Sequence, residues 1–231
     1  MNFDIRPLIT ALEIHQNKEN AQPMKHYMRD QFPFFGIKAP DRRAIVRDFI
    51  RNYGLPESDQ LPLTIKQLWN LPMRECQTAA LDLLGYAKKQ LKADHMPLLE
   101  WLIVTKSWWD TVDYIAPQCC GTLFKHDPYL IELYADKWIV SQNIWLRRAA
   151  LLHQLKYKQM TNEARLFRYI LLNADSDQFF IQKAIGWVLR EYSKTDPHAV
   201  QLFIQQHELK PLSTREGLKW LNRHYLKSKG E

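Results

Sequence analysis

Two side chains four residues apart, Trp109 and Asp113, are the pair in this chain best suited to chemistry. On a helix they stand about 40° apart and share a face, so an indole plane lies beside a carboxylate. Such a pair receives a cation, or a transition state that is becoming one. The carboxylate is also out of place in its own sequence. The segments Trp69–Leu81, Leu102–Tyr114, Trp138–Ala150 and Asn173–Ala184 align on their hydrophobic pattern, and in that alignment Ala80, Ala149 and Ala184 correspond. Asp113 stands where the others carry alanine. Stacked repeats need a small residue there so that neighbouring helices can close up. A carboxylate at such a site costs stability unless it is solvated, paired or put to use.

A second constellation is cationic. Lys183, Trp187, Arg190 and Lys194 step by four, three and four residues and form one helical stripe. Arg148 lies one repeat earlier, aligned with Lys183, and Lys156 continues that helix two turns on. Stacked helices lie about 8–10 Å apart, so these cations would form a band across the concave face of a repeat array. A phosphate backbone with something planar to touch suits that band. The plainer alternative is a solvated basic face with its tryptophans packed as core.

The elements that must position these residues are helices. The repeat period of about 35 residues is that of helical solenoids. Each unit has an amphipathic first helix, a short polar break and a second helix carrying the alanine signature. The second helices are expected at about 74–89, 107–121, 145–158, 179–194 and 214–226. Asp127-Pro128, Ser141-Gln142-Asn143, Asn173–Asp177 and Asp196-Pro197 supply the breaks. Ser213-Thr214-Arg215-Glu216 has the form of a capping box opening the last helix. Residues 1–50 are less regular, with a helix at about 3–17 and another opened by Pro40. No tetratricopeptide or ankyrin consensus fits. The expected fold is all-α, a curved solenoid of HEAT-like antiparallel helix pairs with a basic concave face, forming one domain over residues 1–231.

Composition agrees with a folded protein, at 46% hydrophobic and 25% charged residues. Only 7 glycines occur, which disfavours hairpin-rich β structure. A formal net charge of +7 and a pI near 9.2 favour a polyanionic partner. Cys76, Cys119 and Cys120 include no C-x-x-C spacing and read as reduced thiols. No run approaches the roughly 20 apolar residues of a membrane span, and the start of the chain lacks a basic leader. A soluble, cytoplasmic, monomeric protein is expected. Scattered histidines exclude zinc-ligand spacing, so no metal is expected. There is no Walker loop, no G-x-G-x-x-G and no G-x-S-x-G elbow, and no cofactor is expected. What remains is Asp113, with Asp110 one turn back. A lone carboxylate between tryptophans suffices for hydrolysis only if the substrate already carries a good leaving group.

Thr105-Lys106-Ser107-Trp108-Trp109-Asp110-Thr111-Val112-Asp113 resembles the signature of the AlkD family of HEAT-like-repeat DNA glycosylases. Asn143–Ala150, Phe179–Tyr192 and Phe35–Arg43 are similar to it too, so the likeness runs over nearly the whole chain in the right order. The resemblance implies removal of purines carrying a positive charge from alkylation at N3 or N7, in double-stranded DNA, without flipping the base. It implies a bacterial cytosolic repair protein acting at the nucleoid. Trp109, Asp113 and Trp187 would face the lesion. Tyr27, Arg148, Lys156, Arg190 and Lys194 would hold the DNA backbone, and Lys183 joins them from the cationic stripe. Lys38 stands where some family members carry an uncharged polar residue, so no DNA contact is carried over there. The chemistry fits the residues independently. A cationic base leaves neutral, the sugar becomes an oxocarbenium ion, and a carboxylate stabilises it and orients water. No lysine is placed as an amine nucleophile, so no strand cleavage is expected. Two other classes stay open, a non-catalytic binder of distorted or branched DNA and a HEAT-type protein-interaction scaffold. Loss of Asp113 or Trp109 would favour the first, and an apolar or acidic concave surface the second.

Overall fold

A computed structural model describes residues 3–224, and their regular structure is helical throughout. The chain gathers into two compact units, Met1–Leu98 and Leu99–Glu231. None of the described helices is long and apolar enough to cross a membrane.

The first unit holds α1 (Arg6–Ile14), α2 (Lys18–Tyr27), α3 (Ala39–Tyr53), α4 (Leu61–Asn70) and α5 (Arg74–Tyr86). The single helix expected at 3–17 is shorter, because Asn17 turns out of it and caps α2. Its side chain accepts the amide of Asn20 at 3.0 Å. The loop before α3 is held by Glu75 of α5, a buried carboxylate that accepts the amides of Phe35, Gly36 and Ile37 at 3.0, 2.8 and 3.1 Å. Gly36 has φ +90, and a Cβ there would sit 1.9 Å from the Asn17 carbonyl oxygen, so only glycine fits. Lys38 then N-caps α3 and Pro40 lies in its first turn, close to the sequence expectation. Arg42 and Asp82, 2.8 Å apart, tie α3 to α5.

The second unit begins within α6 (Met96–Val104) and continues with α7 (Trp109–Tyr114), a π-helical stretch Ile115–Cys120 and α8 (Gly121–His126). Next come a π-helical turn Ile131–Ala135, α9 (Asp136–Trp138), α10 (Ile144–Leu152) and α11 (Glu163–Leu171). The last helices are α12 (Phe179–Tyr192), α13 (Pro197–Gln206) and α14 (Pro211–His224). Asn143, Asn162 and Asp196 cap α10, α11 and α13 through side-chain oxygens, as their place in the polar breaks predicts. α10 packs against α7 and α12, and α14 packs along α12. Ala80, Ala149 and Ala184, the aligned alanines, are all fully buried.

Three helices of the second unit differ most from the sequence reading. The helix expected over 107–121 runs on to His126, because the wider π turn takes up Pro117, which has no N–H to donate. The helix expected over 145–158 ends at Leu152. Beyond it the amides of Leu155 and Tyr157 turn to carbonyls three residues back. The last helix starts at Pro211, so Ser213 and Glu216 are not a capping box but lie inside α14. Ser213 Oγ donates to the Gln182 carbonyl at 3.1 Å, and Glu216 turns toward α12. Positions 225 and 226, the expected end of that helix, lie outside the described residues.

The α12–α14 contact depends on Gly186. A Cβ there would meet Glu216 Cβ at 2.4 Å and the Ser213 carbonyl oxygen at 3.0 Å. Alanine is better than glycine inside a helix by about 1 kcal/mol, yet overpacking costs about 1–3 kcal/mol. Gly186→Ala is therefore expected to destabilise the protein and lower its urea midpoint. A midpoint equal to or above that of the wild type would mean that the two helices have room to spare.

Candidate functional site

The approach to α7 is fixed locally. Lys106 adopts φ 50, Ser107 Oγ donates to the Ile103 carbonyl at 2.7 Å, and extended Trp108 precedes the helix. Thr111 Oγ1 donates back to the Trp108 carbonyl at 3.1 Å. Trp109 is thus the first helical residue, and Asp113 follows one turn later on the same face. Pro117 offers no amide to the carbonyl of Asp113 four residues before it, and the helix widens directly after the site. π segments of this kind are frequent at functional positions.

Asp113 is paired. Arg148 of α10 donates from Nε to Oδ1 at 2.7 Å and from Nη2 to Oδ2 at 2.8 Å, and its Nη1 donates to the Phe180 carbonyl at the start of α12. The two side chains are 16% and 5% exposed. The guanidinium lies 5.9 Å from the Phe180 ring centroid. Phe180, Trp108 and Trp145 pack against one another at centroid separations of 5.0–5.7 Å, so α7, α10 and α12 meet in an aromatic cluster beside the pair. Burial pushes the Asp113 carboxyl above its ordinary range. Arg148 pulls it back through hydrogen bonds and charge, and the Asp110 charge raises it again. The forked pair uses one lone pair on each carboxylate oxygen and leaves others for a water.

Arg148 is therefore placed differently from an open cationic band. It is buried, and three of its N–H groups are directed to Asp113 and Phe180. The physical reason is the repeat itself: Asp113 and Arg148 lie about one period apart, so stacking brings them face to face. A carboxylate at an alanine position needs a countercharge, and this arginine supplies it.

The cations of α12 are held from α14. Glu216, 7% exposed, accepts Lys183 at 3.1 Å, Arg190 at 2.9 Å and Lys219 at 2.7 Å. Burial opposes its ionisation, but hydrogen bonds from Lys219 and Lys183, with their charges, hold it at about 2. Because that value is depressed, the stabilisation is present above the ordinary carboxylate range and is lost as pH falls toward about 2. Lys194 is exposed and pairs with Glu191 at 2.6 Å. It also lines a cavity of about 340 Å³ with Lys158 and Tyr192, which does not include Asp113, Trp109 or Trp187. Lys156 is exposed in the turn after α10, and Trp109 and Trp187 are half-buried on α7 and α12. Tyr27 is exposed at the end of α2 in the first unit. Residue reading missed Glu216, taken for a cap, and Glu75. For the Asp113–Arg148 pair, the one-period spacing was the available signal.

The sequence model for DNA alkylation repair enzymes matches residues 8–221. A solved structure from Enterococcus faecalis, described as a predicted DNA alkylation repair enzyme, is 33% identical with a TM-score of 0.82. That match covers 89% of this chain and 96% of the other. The protein smu.31 of Streptococcus mutans UA159 is 16% identical with a TM-score of 0.60, over 87% of this chain and 98% of that one, a likeness of fold alone. No curated protein matches the chain. The chain belongs to the family of DNA alkylation repair enzymes, all-helical proteins that act in DNA repair.

Proposed function

We propose that this protein is a monofunctional DNA glycosylase that hydrolyses the N-glycosidic bond of cationic N3- and N7-alkylated purines in duplex DNA. The observation that carries the reading is a mostly buried carboxylate, Asp113, gripped by Arg148 and set one helical turn from Trp109.

The reaction divides into two steps. The C1′–N bond breaks, and its electron pair stays on the purine, cancelling the positive charge there. The sugar is left as an oxocarbenium ion. Asp113 faces that charge and accepts a hydrogen bond from water, which attacks C1′ while its proton passes to the carboxylate and on to solvent. The products are a neutral base and an abasic site. Arg148 costs some of the stabilisation. At an effective dielectric of about 20, a carboxylate about 4 Å from the sugar contributes about 4 kcal/mol and a cation about 7 Å away removes about 2 kcal/mol. The balance favours reaction, and in return the arginine keeps the acid ionised and oriented. Trp109 and Trp187 offer π faces to the cationic sugar and base edge, worth about 1–2 kcal/mol each.

Lys156, Lys183, Arg190, Lys194 and Tyr27 hold the phosphates, whereas Arg148 acts with Asp113. The base is attacked where it lies in the duplex, without being rotated into a pocket. The reaction is hydrolysis by water, with no Schiff base and no strand cleavage. The wild-type protein is expected to release free 7-methylguanine from a duplex carrying one such base, leaving a strand that breaks only on alkaline treatment. Binding of that duplex without release of base would overturn the catalytic reading and favour the non-catalytic binder.

A further inference from the structure

Three cations from two helices converge on one carboxylate in the second unit. Lys183 and Arg190 come from α12, Lys219 and Glu216 from α14, with nitrogen–oxygen distances of 2.7–3.1 Å. The carboxylate lies beneath them. Its side chain is 7% exposed, whereas those of Lys183, Arg190 and Lys219 are 38%, 31% and 53% exposed. One negative charge cannot neutralise three positive ones, so the group presents a net charge of about two to solvent on a fixed frame. That frame is built closely. Gly186 lies on α12 between Lys183 and Arg190, and its missing Cβ is what lets Glu216 reach under both. Trp187, the next residue, shares the helical stripe of the two cations.

A bare lysine on a helix surface loses much rotamer entropy when it grips an anion. Here Glu216 has already gathered the three heads, so a second anion meets donors that are in place. The free oxygens of a phosphodiester, with one delocalised charge and acceptors only, match such a set of N–H donors.

We propose that Lys183, Arg190 and Lys219, gathered on Glu216, form a single site for a phosphodiester of the DNA backbone, which makes Lys219 and the last helix part of the DNA-binding surface. This rests on the reading of DNA as the partner and adds to it a contact from α14 that neither the repeat pattern nor the family likeness assigns. The cations of the stripe then act as one unit beside Trp187 rather than as separate surface charges.

The test is the salt dependence of binding to an undamaged duplex, followed by fluorescence anisotropy, for the wild type, Lys219→Met and Lys219→Arg. Release of 7-methylguanine by the wild type is measured in parallel. Lys219→Met is expected to weaken binding and reduce the slope of log affinity against log salt by about 0.9, while Lys219→Arg keeps the wild-type slope. An unchanged slope in Lys219→Met would overturn the site and reduce the Glu216–Lys219 contact to a pair within one helix. A lost slope in a protein that releases no base would support the site and sink the glycosylase reading instead.

Discussion

Asp113→Asn is expected to slow release of 7-methylguanine at least about 100-fold, the scale on which removing one transition-state stabilising group acts, while duplex affinity changes little. The carboxylate works on charge that exists only as the glycosidic bond breaks, so ground-state binding does not draw on it. The substitution also leaves Arg148 without its countercharge in a buried setting, and breaking such a pair costs up to about 3–5 kcal/mol of stability. Single-turnover release and duplex affinity measured on the same preparation separate the two effects, because an unfolded protein would lose both. Wild-type release by the Asn variant would remove Asp113 from the mechanism.

Arg148→Met gives the companion readout. Asp113 must be ionised to act, and its carboxyl titrates above its usual range because burial outweighs what Arg148 supplies. Removing the arginine takes away the hydrogen bonds and charge that lower it, so the carboxyl rises further. Activity should then fail at a higher pH than in the wild type on the acid side of the profile. A slower variant with the wild-type pH profile would mean that Arg148 acts on something other than the charge of Asp113.

The second large effect concerns the leaving group. Asp113 is gripped by an arginine that lies near the Phe180 ring of the aromatic cluster, and Asp110 is a further carboxylate whose charge it feels. That setting stabilises a cation, and in the proposed mechanism no acid protonates the departing base. General acid catalysis is worth about 10²–10⁴-fold, and a neutral purine must forgo it here. Duplexes carrying 3-methyladenine or 7-methylguanine should therefore be processed at least about 100-fold faster than those carrying hypoxanthine or 1,N6-ethenoadenine. Base release from single-lesion duplexes, with Asp113→Asn as control, measures this directly. Rapid excision of a neutral base would require an acid, and would refute the mechanism while leaving the family membership untouched.

Much of this protein is legible in one dimension. Apolar spacing and polar breaks locate the helices of the second unit, because caps such as Asn143, Asn162 and Asp196 act on amides two or three residues away. The alanine register follows for the same reason. A small residue recurring at the repeat period marks where helices touch, and Ala80, Ala149 and Ala184 are buried without exception. Asp113 stands out against that register before any coordinates exist. What the sequence by itself does not determine is the partner of each charge. Arg148 reads as one more cation of a phosphate-holding band, yet stacking of α10 on α7 turns it inward to Asp113. Glu216 reads as a cap, yet a helix start set by Pro211 and the missing Cβ of Gly186 place it under Lys183 and Arg190. Period and cap chemistry are local and survive in the string of residues. Ion pairing depends on which helix faces meet and how closely, and packing alone decides that.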